Sequence, residues 1–333
     1  MFKAAVIGLG NIGFFFDLDP LRKETWSHVS AYTKCLKTEL VGVVDVDKEK
    51  VNIFKQHHDV LTSESIEELL ESTTVDIVSI CTPTEEHYDI LKKLIKYPVK
   101  AIFCEKPIAS DVCQAKEMVR LCKEKNIVLA VNHTRRWDSN YQFAKNMIEK
   151  GKIGNVKAVN AVYPSQLFNV GTHLLDTVRM LVQKDPKTLS GVASNIDAQD
   201  PDVSGWIEFD GPIPCTVIST GKREDLIFEI DVIGDEGRIR ILENGVKIEW
   251  YAFVESTRYS GYRELSLMQM DPIQKNDRFV EAIYDIVSIT ASEKSEVSCT
   301  GNDGFYSLAM GIAMLESARE NGIPVSVEWN DAL

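Results

Sequence analysis

Residues Ala4 to Gly13 read "AAVIGLGNIG", a short apolar run that breaks onto Gly8, Gly10 and Gly13. Such a run ahead of a glycine turn predicts a buried strand. Glycines in the order GxGxxG let the backbone turn tightly and bring its N–H groups close to a ligand. More apolar runs follow at "LVGVVD", "VDIVSIC", "KAIFCE" and "IVLAVN". Between them, "EEHYDILKKLIK" and "SDVCQAKEMVRLCKEKN" carry apolar residues at helical spacing. Apolar strands alternating with helices predict an α/β domain, a doubly wound parallel sheet covered on both faces, over residues 1–134. Ser65 with Glu68 forms a capping box for "SIEELLES". Ser110 is expected to cap the helix that follows "KAIFCEKPIAS".

The texture changes in the second part, residues 135–333. Strand-like runs succeed one another: "NVKAVNAVY", "TLSGVASN", "SGWIEFD", "CTVIST", "IFEIDVIG", "GRIRILE" and "VKIEWYAF". In "FEIDVIG", Phe228, Ile230 and Val232 alternate with Glu229 and Asp231, so one face is buried and the other polar or held for a partner. Gly234 to Gly237, "GDEG", reads as a hairpin turn. Two helices, "DRFVEAIYDIVS" and "FYSLAMGIAMLESAREN", close the chain, and the last is expected to be able to pack back on the first domain. This is an α+β domain on a largely antiparallel sheet.

The chain has 333 residues and a formal net charge of -13. Its length suits two domains with sizeable cores. The acidic surface disfavours a phosphate backbone, so nucleic acid is not an expected partner. Seven scattered cysteines without a CxxC pair read as reduced core residues, which points to a cytoplasmic protein. No apolar run is long enough to span a membrane, and the N-terminus lacks the shape of a signal peptide. Dispersed histidines and the absence of HxH or HExxH argue against a metal site.

The glycine turn in this strand context predicts a dinucleotide site, with Gly8, Gly10, Asn11, Ile12 and Gly13 around a pyrophosphate. Asp45, ending "ELVGVVD", is placed to bind the adenine ribose hydroxyls and repel a 2′-phosphate, favouring NAD over NADP. It lies 32 residues past Gly13, against about 20 in the usual pattern. An insertion, "FFFDLDPLRKETWS", between the turn and a helix starting near His28 would account for the excess. A plain glycine-rich turn with Asp45 as a helix cap is the competing reading.

Four further stretches carry polar residues at informative places. "CTPTEEH" ends a strand, where open α/β sheets hold ligands, so Thr82 and Pro83 are candidates to line the cofactor. His87 is a candidate too, although an exposed helix position explains it equally. "KAIFCEKPIAS" sets Glu105 and Lys106 at a strand tip beside the nicotinamide, with Pro107 fixing the turn and a cis bond before it as a candidate. Lys106 could exchange a substrate proton, and Glu105 could pair with it or touch the ribose; a surface Glu-Lys pair is the alternative. In "FNVGTHLLDTVRML", Gly171 or Thr172 starts a helix and His173 is a candidate proton shuttle. Arg135 and Arg136 in "VNHTRRW" could hold an anionic substrate group or make inter-domain ion pairs.

Taken in order, "VIGLGNIG", "VGVVDVD", "TPTEEH", "EKPIAS" and "GTHLLDTVRML" resemble the Gfo/Idh/MocA family over nearly the whole chain. The resemblance implies an N-terminal Rossmann domain, a C-terminal α+β domain with an open-faced sheet, and a homodimer or homotetramer formed through that sheet. It implies an NAD(P)-dependent enzyme that oxidises or reduces a sugar, polyol or nucleotide sugar. Lys106 then meets the substrate hydroxyl and His173 is its acid/base partner. The family commonly has an aspartate four residues before the histidine, where this chain has Asn169. An amide cannot accept a proton at neutral pH, so Asn169 would position substrate, with Arg135, Arg136, Thr172 and His173 around it. A dinucleotide-sensing regulator and an NAD-assisted glycosidase are the competing classes.

Overall fold

The computed structural model describes residues 1–271 and 276–327. The chain divides into two compact units, Met1–Trp137 with Asp277–Phe305, and Asp138–Asn276 with the segment from Tyr306 onward.

The first unit holds a six-stranded sheet. Its strands and helices run β1 (Phe2–Ile7), α1 (His28–Lys34), β2 (Thr38–Val44), α2 (Lys48–Lys55), β3 (Leu61–Ser63), α3 (Ile66–Ser72), β4 (Ile77–Ile80), α4 (Thr84–Leu94), β5 (Ala101–Cys104), α5 (Val112–Glu124) and β6 (Val128–Val131). The strand order is β3-β2-β1-β4-β5-β6, and every neighbouring pair is parallel. Residues Ile77–Ile80 and Ala101–Cys104 are buried throughout, as a strand covered on both faces requires. Between β1 and β4 the winding reverses, which opens a crevice at the carboxyl ends of the strands. The three-residue β3 is too short and mixed to carry a period, and the sequence reading lacks it.

The second unit contributes α6 (Ser139–Glu149), β7 (Val156–Tyr163), α7 (Thr172–Val182), β8 (Pro186–Ala193), β9 (Val203–Phe209), β10 (Ile213–Ser219), β11 (Glu229–Gly234), β12 (Gly237–Leu242), β13 (Lys247–Glu255) and β14 (Arg263–Asp271). After α8 (Arg278–Thr290) come α9 (Gly301–Arg319) and β15 (Val325–Ser326). The nine-stranded sheet runs β14-β13-β12-β11-β7-β10-β9-β8-β15. Only its β7–β10 pairing is parallel. Phe228, Ile230 and Val232 are buried with the inward residues of β7, β9 and β10 in one core, as their alternation requires. The β11–β12 hairpin turns at Gly234–Gly237, as the glycines predict.

Asp277–Phe305, which the linear reading puts in the second domain, belongs to the first unit. The reason is the apolar face of α8. Phe279, Ala282, Ile283, Ile286 and Val287 recur at helical spacing and are buried, and Phe279 meets the His28 ring edge-on at 5.1 Å. The cap of α5 is Asp111, whose carboxylate accepts the Gln114 N–H at 2.9 Å, rather than Ser110. All seven cysteines are free, and Cys113 alone is exposed. Among the described residues no helix is long and apolar enough to cross a membrane.

Candidate functional site

The crevice beside β1 and β4 is a cleft of about 740 Å³ lined by Gly8, Gly10, Asp45, Thr82 and Pro83, with Lys50, Glu64, Glu67, Glu86 and Asp89 at its polar margins. The three glycines divide into two kinds. Gly8 has φ +96°, and a Cβ there would lie 2.7 Å from the Cys81 carbonyl. A Cβ on Gly13 would lie 2.0 Å from the Gly8 carbonyl oxygen. Both must be glycine for the turn to close. A Cβ on Gly10 would meet nothing within 4 Å, although Gly10 lines the cleft. Its missing side chain leaves room for a ligand rather than for the protein.

Asp45 is 8% exposed. One carboxylate oxygen accepts the Leu9 N–H of the glycine turn at 2.7 Å and the other accepts the Asp47 N–H at 2.8 Å. A carboxylate has about four acceptor positions, so these bonds fix its orientation and still leave capacity for ribose hydroxyls. Thr82 Oγ1 is buried without a hydrogen-bond partner. A roomy glycine, an orphaned hydroxyl and an oriented carboxylate along one cleft fit a dinucleotide.

The long spacing from Gly13 to Asp45 has a visible cause. Carbonyls of residues 12 and 13 in a continuous helix accept from residues 16 and 17. Here Ile12 accepts from the His28 N–H at 3.0 Å and Gly13 from the Val29 N–H at 3.1 Å. The ladder skips twelve residues and then continues as α1. Removing those twelve from the 32-residue spacing leaves the usual figure of about 20. The excursion folds on itself. Ser27 caps α1 and donates its hydroxyl to Asp17, Arg22 lies 3.8 Å over the Phe16 ring, and Thr25 hydrogen-bonds Asp277. Asn11 and Ile12 serve the turn through their carbonyls, toward Phe16 and His28.

The tip of β5 is built differently from the expectation. The Lys106–Pro107 peptide is cis. Lys106 is half-buried, but Glu105 is 6% exposed and turned inward. Its carboxylate accepts from the His28 ring at 2.9 Å and from the Asn132 amide at 2.5 Å. His28 Nδ1 meets Ser79 Oγ at 2.8 Å, and Ser79 meets Tyr32 Oη at 2.8 Å. Burial alone would raise the Glu105 carboxyl. The hydrogen bond and charge of His28, the charge of Lys106 and the Asn132 amide outweigh burial and hold it below its ordinary value. The sequence reading missed His28, Ser79 and Asn132. A lone serine inside the apolar run "DIVSIC" was the available signal.

His87 is not an exposed helix residue: it is 1% exposed. One ring nitrogen faces the Thr82 carbonyl at 3.0 Å and the other the Pro107 carbonyl at 3.0 Å. It clamps the loop after β4 to the loop after β5. Burial lowers its pKa, against the opposing pull of these carbonyls and Glu105. Arg135 and Arg136 are each 9% exposed. Arg136 pairs with Asp303 at 2.8 Å within the same unit and donates to the Ser298 carbonyl.

In the second unit a π-helical turn, Leu167–Gly171, leads into α7 with Gly171 as its cap. Thr172 is fully buried and gives its hydroxyl to the Phe168 carbonyl at 2.8 Å. It shapes the helix start that carries His173. His173 is half-buried. The Asn169 amide donates to Gln166 Oε1 at 2.8 Å, and its backbone N–H is held by Asp200 at 2.9 Å.

The model of an oxidoreductase family with an NAD-binding Rossmann fold matches residues 2–133, and the model of that family's C-terminal alpha/beta domain matches 165–327. The inositol 2-dehydrogenase of Rhizobium meliloti is 27% identical over 279 residues, covering 77% of this chain and 82% of that protein. Two solved structures share the fold. An aldose-aldose oxidoreductase from Caulobacter crescentus complexed with glycerol has a TM-score of 0.80 at 17% identity, covering 98% of this chain and 99% of that one. An oxidoreductase from Agrobacterium radiobacter in complex with NAD+, L-tartaric acid and magnesium has 0.79 at 20%, covering 98% of each. With both of its domains matched, the chain belongs to the Gfo/Idh/MocA family of oxidoreductases.

Proposed function

We propose that the protein moves a hydride between NAD(P) and a carbinol or carbonyl carbon of a sugar, polyol or nucleotide sugar. The observation that carries this reading is the place of Lys106. It follows the strand tip of β5, next to β4, whose Thr82 lines the cleft with Gly10. The polyol named for the Rhizobium relative agrees with it. When bound, the dinucleotide accepts or returns the hydride. Gly8 and Gly10 admit its pyrophosphate and Asp45 its ribose, which favours NAD over NADP.

Alcohol oxidation also removes a proton from oxygen. Lys106 holds the substrate hydroxyl and exchanges that proton, and His173 is its acid/base partner. Asn169 positions rather than titrates. Its amide nitrogen donates to Gln166, and an amide oxygen can accept a substrate hydroxyl but not a proton at neutral pH. The same reading carries a homodimer or homotetramer through the face of the nine-stranded sheet where Trp206 and Ile218 are each 45% exposed; sedimentation of the purified protein tests this.

The decisive experiment compares Lys106→Ala with the parent protein against a panel of sugars, polyols and nucleotide sugars. NADH binding, read by tryptophan-to-nicotinamide energy transfer, should stay within about threefold, while turnover falls at least about 100-fold. Undiminished turnover with intact NADH binding would overturn the assignment of Lys106.

A further inference from the structure

Glu105 and His28 sit behind the strand tip, out of the cleft, and the chemistry proposed above does not use them. A carboxylate as buried as Glu105 costs free energy unless it is fully hydrogen-bonded. Four side chains are spent on keeping it there: His28 and Asn132 directly, Ser79 and Tyr32 through His28. His28 itself is 0% exposed and wedged between the rings of Phe103, 4.8 Å away, and Phe279, 5.1 Å away. An apolar residue of the same volume would pack there at less cost. The polar chain therefore asks for a reason beyond packing.

The placement supplies one. Through its backbone N–H, His28 is bonded to Ile12 in the glycine turn, and through its ring to Glu105. Glu105 in turn accepts the Lys106 backbone N–H at 3.3 Å. One residue thus ties the dinucleotide turn to the backbone of the lysine. The twelve-residue excursion returns to the ladder at the position that makes both bonds.

We propose that His28 is a positioning residue for the reaction: through Glu105 it fixes the strand tip bearing Lys106 and registers it to the glycine turn. This inference rests on the oxidoreductase reading for its consequence in turnover, but not for its physical content. A carboxylate can only accept, so His28 donates to it through Nε2–H. Without that donor, burial acts on Glu105 with less opposition, its carboxyl takes up a proton at higher pH, and the anion beside Lys106 is lost. Cys81, Cys104 and His87 also feel this charge: burial and Glu105 both raise the two thiols, while Glu105 pulls His87 upward against the burial that lowers it.

The test begins without substrate or cofactor. Infrared difference titration, with Glu105→Gln identifying the band, follows the Glu105 carboxyl in the parent, His28→Leu and His28→Gln. The carboxyl should titrate at least about one pH unit higher in His28→Leu, and His28→Gln, which restores an N–H donor, should recover most of the shift. Where a substrate turns over, kcat of His28→Leu should fall at least about tenfold. KM for NADH should stay within about threefold and the acid limb of the kcat profile should move to higher pH. Ser79→Ala is the milder second variant, which unhooks the ring while keeping it and decides the matter if His28→Leu does not fold; it should move the carboxyl in the same direction. Unchanged Glu105 titration in both variants would overturn the proposal, as would a loss of stability with kcat and its pH profile intact. A parent protein inert toward every substrate offered would count against the oxidoreductase reading, while the carboxyl titration would still decide the role of His28.

Discussion

A methyl group on Gly8 would meet the Cys81 carbonyl at 2.7 Å, on a backbone with φ +96°. The same methyl on Gly10 would meet no protein atom within 4 Å. One substitution therefore separates a glycine needed by the fold from a glycine needed by a ligand. Gly8→Ala combines left-handed strain with a backbone clash and should cost about 2–4 kcal/mol of stability. Gly10→Ala should change stability by less than about 0.5 kcal/mol and weaken NADH at least about tenfold. Thermal unfolding and an energy-transfer titration on the two variants check this. If Gly10→Ala bound NADH as tightly as the parent, the pyrophosphate would have to be placed elsewhere. Such division of labour is invisible in the letters GxGxxG, because it depends on what stands opposite each Cα. His87 makes the same point. Helical position suggested an exposed residue, but the loop leading into its own helix and the loop after β5 close over it.

Among elements, those with a long regular period were legible and those set by a distant partner were not. The five longer parallel strands, the alternation in β11 and the helices α4, α5 and α8 follow from runs whose side chains face one environment along their length. β14 has exposed Leu265, Leu267 and Met268, so its pattern announces no core and its pairing with β13 decides it. Affiliation of α8 with the first unit was equally hidden, since an apolar face does not say which core it joins. The excursion before α1 was legible as an awkward spacing, but its meaning lies in the hydrogen bonds from His28 and Val29 back to Ile12 and Gly13. Those bonds predict the effect of excision. Deleting residues 16–27 joins Phe15 to His28 and restores an unbroken helical ladder. The shortened protein should unfold cooperatively and bind NADH within about tenfold of the parent, because the glycine turn and Asp45 keep their mutual bonds. Circular dichroism melts and the same titration read it. Loss of NADH binding in a protein that still folds would make the excursion part of the cofactor site rather than an addition to it.

Stability of the whole molecule should respond to acid in two separate steps. The first belongs to His87, whose ring is clamped between carbonyls in the interior and whose pKa is lowered by burial. Above the ordinary histidine value of about 6.5, folded and unfolded chains are both neutral at this position and pH has no leverage. As pH falls through that value, the unfolded chain takes up a proton that the folded one refuses. Stability present above it is therefore lost on acidification, at up to about 1.4 kcal/mol per pH unit for this group. Partly buried His58 acts in the same direction. The second step belongs to carboxylates held below their ordinary values, Glu105 and Asp285 among them. Their contribution is intact above the unfolded carboxylate range, near 4, and is lost as pH falls below that range through their lowered folded values. Urea unfolding at intervals from pH 8 to 5 should show a flat region and then a decline that begins close to 6.5. His87→Gln should be less stable at pH 8, because it disturbs the clamp, yet lose less between pH 7 and 5.5. A decline equally steep in parent and variant would mean that His87 is not the group being titrated, and would assign the step to His58.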